Sequence, residues 1–270
     1  MLDRFIRAMI AATGLLAASS VVFAQSGKQG PPRADTRTGS GKAFDPHDLS
    51  GFWDLTKTGL PSGALNETSN SRPQMTPWGL EKFHKTKTGV ANALSNGAYK
   101  NEKDWNDPTR WCDPMGFPRV MWTPTQVGMR IAQADEEVIQ FFETDRAWRD
   151  IWTDGRKLPG DDADSRWYGY AVGHWEGDTF VVNSNNFEDK TWLDQYGSPH
   201  SDEMTVEERY RRLDHDHLEL VLNITDPKTY MGTWKGDKKI FQLVEKPRSG
   251  FDDLPEKICV WSETKREVHP

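Results

Sequence analysis

The sequence predicts an all-β protein, an antiparallel meander closed as a lipocalin-like barrel or, alternatively, folded as a β-sandwich, with one short peripheral helix. Three observations lead there. From Pro118 onward apolar residues recur with a period of two, the spacing of a strand with one buried face. Gly- and Asp-containing turns punctuate these runs at short intervals, as in meanders. Only one stretch carries helix signals. Together they predict roughly eight to ten strands.

The elements follow in chain order. "DLSGFWDL", Asp48 to Leu55, is the entry strand, with Gly51 and Trp53 as a G-x-W pair. Leu60 to Gln74 reads as loop. "TPWGLEKFHK" has Thr76 as N-cap and Pro77 at the first helical position, so a short helix follows, with His84 on it facing solvent. Thr86 to Pro114 is polar and irregular, the length of a lid or other functional connection. "TQVGMRIAQ" puts Val127, Met129 and Ile131 on one face, and "EVIQFFET" and "RAWRDIWTD" continue the meander. Tyr168 to Phe187 is a hairpin about Glu176-Gly177-Asp178. "MTVEERYRRL" and "HLELVLNITD" form another across Asp214-His215-Asp216, with Leu218, Leu220, Leu222 and Ile224 on one side. "KKIFQLVEK" and "EKICVWSE" close the chain.

Ahead of these lie two segments of a different kind. Residues 1–24 have a basic start at Arg4 and Arg7, an apolar run and the small-residue site Val22-Phe23-Ala24, the features of a secretory signal peptide. Residues 25–46 are rich in Gly, Ser, Pro and charge, and read as a disordered leader. Residues 47–270 then form a single barrel domain. The expected location is exported, periplasmic or extracellular. Cys112 and Cys259 are the two cysteines. In an oxidising compartment they are candidates for a disulfide, with two free thiols as the alternative. The net charge of −7 argues against nucleic acid and against anionic lipid, both of which require basic clusters. No later stretch is long and apolar enough for stable membrane insertion. Neither cysteine has metal-type spacing, and no cofactor motif is present. His215 and His217 would share a strand face in a ligand-like pair, but they lie in a turn and no metal is assigned.

Twelve tryptophans suit a core and a flat-ligand pocket equally, because indole has a large apolar face and a single donor. Candidate catalytic residues are His200, in a loop entering a strand, and Glu208, which alternation places among apolar neighbours. A carboxylate there must be paired or have a raised pKa, and Arg149, which alternates with Ala147 and Ile151, is a candidate partner. Trp152, Tyr210 and Asn186 complete the binding set. Alternation puts Trp148 and Trp152 opposite Arg149, so a single cluster at the barrel mouth requires a bulge. Asp154-Gly155-Arg156 and Glu176-Gly177-Asp178 read as turns first. Asn183 and Asn185 face one way and Ser184 and Asn186 the other. Buried amides of this kind need partners.

"RDIWTDGRKLP", "GYAVGHWEGDTFVVNSNNF", "HSDEMTVEERYRRLD" and "DPKTY", preceded by "WCDPMGFPR", occur in that order. They resemble a large, mostly uncharacterised family of secreted bacterial β-rich proteins that carries R-x-I-x-x-D-G-R, W-E-G-D-T-L-V-V and H-S…E-R-F motifs. The resemblance implies motif positions and no activity. It also implies that His174 is a poor catalytic candidate, since the family usually has Arg there. Two function classes remain. One is an exported small-molecule-handling protein whose barrel pocket binds an apolar or aromatic ligand, or a glycan. The other is a cofactor-independent isomerase, lyase, cyclase or hydrolase, using His200 with a carboxylate.

Overall fold

A computed structural model describes residues 41–55, 67–90, 94–97, 99–122, 128–144, 146–244 and 258–260. The chain forms β1 (Gly51–Asp54), α1 (Pro77–His84), β2 (Gly128–Gln133), β3 (Glu137–Phe142), β4 (Trp148–Trp152), β5 (Tyr170–Glu176), β6 (Thr179–Asn185), β7 (Thr205–Arg212), β8 (His217–Thr225), β9 (Trp234–Lys235) and β10 (Lys239–Leu243). The strands order as β10-β1-β2-β3-β4-β5-β6-β7-β8, and β10 pairs back onto β8. Nine strands therefore form a closed barrel, and β9 hangs from the far end of β8. Closure leaves no free sheet edge around the ring. Every pairing is antiparallel except β4 with β5, which run parallel.

The local sequence accounts for the elements. Thr76 Oγ1 accepts from the Gly79 amide at 3.1 Å and caps α1, with Pro77 at its first position. The β5–β6 hairpin pairs Glu176 with Thr179 across Gly177-Asp178, and Gly177 has φ +58°, a conformation glycine adopts without penalty. On β7, Val206, Glu208, Tyr210 and Arg212 are buried in strict alternation. On β8, Leu218, Leu220, Leu222 and Ile224 are buried opposite them.

The lumen is packed. Inward residues such as Trp53, Ile131, Phe142, Ile151, Val182 and Phe241 form one core cluster with Phe117, Val120, Met121 and Trp122. The last four come from the connection before β2, which includes a 3-10 turn at Arg119–Met121. Gly116, with φ +73°, begins this segment, and a Cβ there would stand 2.5 Å from Thr191 Oγ1, so only glycine fits. Arg119 holds the segment from outside, with two guanidinium nitrogens on the Asp107 carboxylate at 2.9 and 2.5 Å. Cys112 is joined to Cys259, with Cα atoms 5.4 Å apart.

Several expectations shift. Phe44 is buried and lies 5.8 Å from the Arg212 guanidinium, so packed chain starts inside the segment read as leader. The signal-peptide residues and Val127 lie outside the described residues. Ile258–Val260 belong to no strand, and the rest of the expected last strand lies outside the described residues. The Thr86–Pro114 connection forms single 3-10 turns at Glu102–Asp104 and Pro108–Trp111. Strand β9 was not expected. It exists because Trp234 buries its indole and donates Nε1–H to Ser69.

Lys239 is the one inward lysine on β10. It is 1% exposed, and its ammonium donates to the Glu67 carbonyl at 2.8 Å. Burial lowers its pKa from 10.5 to about 8, against the opposing pull of Asp237 and Glu67. Between those two values the unfolded chain holds more protons than the folded one, so the lysine makes stability rise with pH. Below pH 8 its burial penalty is constant. Relative to Lys239→Met, the wild type should gain on the order of 3 kcal/mol from pH 8 to 10.5, read by urea unfolding. A difference that stays flat across this window would show that the ammonium is not desolvated. A second expectation concerns the disulfide. Replacing both Cys112 and Cys259 with Ser should cost roughly 2–4 kcal/mol, and an unchanged unfolding midpoint would show that the long loop is already constrained by packing.

Candidate functional site

A chain of polar groups crosses the lumen. The guanidinium of Arg149, on β4, donates to both oxygens of Glu208, on β7, at 2.6 and 3.2 Å and to Ser184 Oγ at 3.1 Å. Tyr210 Oη donates to Glu208 at 2.7 Å and accepts from Gln140 Nε2 at 2.8 Å. The Phe117 ring covers the guanidinium at 4.0 Å. The Arg149 and Glu208 side chains are 1% and 0% exposed. Burial, reinforced by the neighbouring Glu208 carboxylate, raises the Tyr210 hydroxyl well above the usual phenol range, so it remains a donor. The network is sealed, with Arg149 Nε and Gln140 Oε1 left without a partner, and its paired members specify how the core is arranged. It offers no reacting group to a substrate.

His200 lies elsewhere and is also sealed, at 2% exposed. Its Nδ1 is 3.2 Å from the Ser201 carbonyl and its Nε2 is 2.7 Å from Thr191 Oγ1. The carbonyl can only accept, so Nδ1 carries the proton and Nε2 accepts from the threonine hydroxyl. Burial lowers the imidazole pKa and favours that neutral form. Next to it, Asp226 accepts from the Ser201 amide and hydroxyl, each at 2.7 Å, and from the Thr229 amide at 3.1 Å. His200 and Glu208 share no hydrogen-bond partner among the described residues, and neither lines any of the clefts described below.

The amides of the β5–β6 hairpin have a structural task. Parallel neighbours require a crossover, and the crossover from β4 to β5, Thr153 to Gly169, runs past the end of β6. Asn185 Nδ2 donates to the Pro159 carbonyl at 2.9 Å, and Asn186 Nδ2 to those of Gly160 and Ala163 at 3.0 and 3.2 Å. Asn186 adopts φ +54°, a left-handed conformation that Asn tolerates better than most residues. Asn183 faces outward in a row with Glu207 and Asn223. This row lines a shallow cleft of about 450 Å³. A second depression, about 690 Å³, is bordered by Asp161, Asp164, Asp202 and Glu203.

The chemically distinctive cleft, about 430 Å³, lies at the parallel seam. Strands β4 and β5 pair only through Ile151–Ala171 and Trp152–Val172, so Trp148 and Asp150 have no β5 partner. Trp148, Asp150 and Trp152 point outward from β4, opposite to Arg149 and Ile151. Trp167, Tyr168 and Tyr170 close the other side. Trp148 is 61% exposed. Tyr168 stacks on Phe142 with centroids 6.1 Å apart. The Arg156 guanidinium lies 3.7 Å from the Trp152 ring and that of Arg166 lies 4.0 Å from the Tyr170 ring. Arg156 is also bound to Asp154, so the D-G-R turn holds the indole in place.

Of the expected site residues, Arg149, Glu208 and Tyr210 meet inside the wall, Trp152 stands outside it, Asn186 pins the crossover and His200 is buried apart. No bulge brings Arg149 and Trp152 to one face, so the single barrel-mouth cluster does not form. The reading missed Trp148, Asp150, Arg166, Trp167 and Tyr170 as a group. Their signal was the W-R-D-I-W alternation and the aromatic run Trp167-Tyr168-Gly169-Tyr170. Among protein families, characterised proteins and solved structures, none matches this chain.

Glu208→Gln leaves the Arg149 charge buried and uncompensated. It should cost about 3–5 kcal/mol in urea unfolding, and Arg149→Met combined with Glu208→Leu should recover most of that loss. A cost under about 1 kcal/mol for Glu208→Gln would show that water reaches the pair.

Proposed function

We propose that the protein is an exported binding protein that takes a small ring-bearing molecule into the cleft between β4 and β5. The observation that carries this reading is the gathering of Trp148, Trp152, Trp167 and Tyr170 around one open depression. A largely exposed tryptophan is costly to leave in water, and ring stacking offsets that cost when a flat ligand arrives. Because the lumen is filled, we place the ligand at the seam in the wall and not at the barrel mouth expected from the sequence. Crossover residues pinned by Asn185 and Asn186 hold one side of the cleft and a barrel strand holds the other, so the rings are pre-organised. The signal-peptide features, the disulfide and the motif resemblance support export.

No observation favours the acid–base alternative, since His200 and Glu208 are both sealed and fully engaged. Asp150 is the carboxylate at the cleft, and it has no imidazole beside it among the described residues.

Titration with a panel of aromatic and sugar ligands should quench tryptophan fluorescence. Trp148→Ala and Trp152→Ala should each weaken binding about tenfold, and Trp148→Ala should leave the melting temperature unchanged. Ligands that bind equally well to both variants would place the site elsewhere.

A further inference from the structure

We infer that the ligand carries a carboxylate beside its ring, and that Arg166 receives it. This rests on the binding reading above and specifies its chemistry. Most of the described arginines already have an engaged guanidinium; Arg72 donates to the Leu94 carbonyl and to Ser198 Oγ. Arg149, Arg156, Arg209, Arg211 and Arg212 each pair with a carboxylate. Arg166 has none within ion-pair distance among the described residues, and its guanidinium rests on the Tyr170 ring.

Its position is firm although its side chain is exposed. The Arg166 amide donates to the Asn186 carbonyl at 2.9 Å, and its own carbonyl accepts from Gly169 and Glu188 at 3.1 and 2.9 Å. The base of the side chain is thus fixed by the same crossover that builds the cleft. Stacking on Tyr170 then orients a planar fork whose N–H edges remain available, the geometry that binds a carboxylate through two parallel hydrogen bonds.

The charges around it agree. Arg156 is neutralised by Asp154, and Lys190 stands 3.4 Å from Glu188. Asp150 is the remaining carboxylate of the lining. It stands level with Tyr170 in the parallel register and is an acceptor for a ligand hydroxyl or N–H. A cationic ring ligand is disfavoured, because Arg166 already brings an unneutralised positive charge to the Tyr170 ring. The class is therefore a ring with an anionic carboxylate and a hydrogen-bond donor. Hydroxylated aromatic acids and sugar acids share that chemistry.

The test uses the full mature chain and four probes, 4-hydroxybenzoate, galacturonate, phenol and galactose, followed by tryptophan fluorescence and calorimetry. One or both acids should bind at least about tenfold tighter than their neutral counterparts. Arg166→Gln should remove that preference, and Arg166→Lys should restore it only in part. Which acid binds distinguishes the aromatic from the sugar source. If neutral and acidic rings bind alike, or Arg166→Gln changes neither, the carboxylate inference is overturned while the cleft reading stands. If no probe perturbs the tryptophans or releases heat, the cleft reading falls and the inference falls with it.

Discussion

One parallel pairing in an otherwise antiparallel ring sets the terms for the rest of the molecule. Because β4 and β5 run the same way, the chain must travel back along the barrel between them, and that return passes over the outside of the wall. A crossover without strands of its own has backbone polar groups to satisfy. Here the asparagines at the end of β6 do so, together with the Arg166–Asn186 and Glu188–Arg166 backbone bonds. The same pairing is only two residues long, so the strands part beyond it. The gap is walled by tryptophans from β4 on one side and aromatic residues of the crossover on the other. The polar hairpin and the aromatic cleft are thus two consequences of one topological choice.

The interior has a different logic. Arg149 and Glu208 stand on strands separated in the ring by β5 and β6, and their bond spans the lumen. A charge pair is stable there only if water is excluded and the remaining donors and acceptors are used. Ser184, Tyr210 and Gln140 satisfy much of that requirement, and Phe117 seals the top. The segment carrying Phe117 is in turn held by Arg119 and Asp107 and, through Cys112, by the disulfide. Filling the barrel this way gives a single arrangement of the core.

The motif residues behave mainly as this framework. Arg149, Glu208 and Tyr210 make the buried network, and Cys112, Gly116 and Arg119 set the plug. Ser201 and Asp226 tie the loop before β7 to the turn after β8. His200 belongs to that tie. Chemistry-bearing residue types in a recurring pattern were the natural candidates for catalysis, yet sealing a barrel also calls for buried acids, bases and hydroxyls in fixed places. Exposure distinguishes the two roles, and exposure is not written in residue type.

The sequence by itself determined the β class, the strands with their inward faces, the helix with its Thr76 cap, and Arg149 as the candidate partner of Glu208. The first three are local matters, because side-chain direction along a strand repeats every two residues; the candidate partner followed because a buried carboxylate must be paired or have a raised pKa. Alternation also kept Trp152 and Arg149 on opposite faces, and the structure agrees. Only the tertiary structure decided that β4 and β5 are parallel, that the lumen is filled by residues from before β2, and that Arg166 and Tyr170 line one cleft with Trp148. Those facts depend on which strands become neighbours and where a crossover runs. Neighbour choice is a balance of packing over the whole barrel, and no short stretch of sequence contains it.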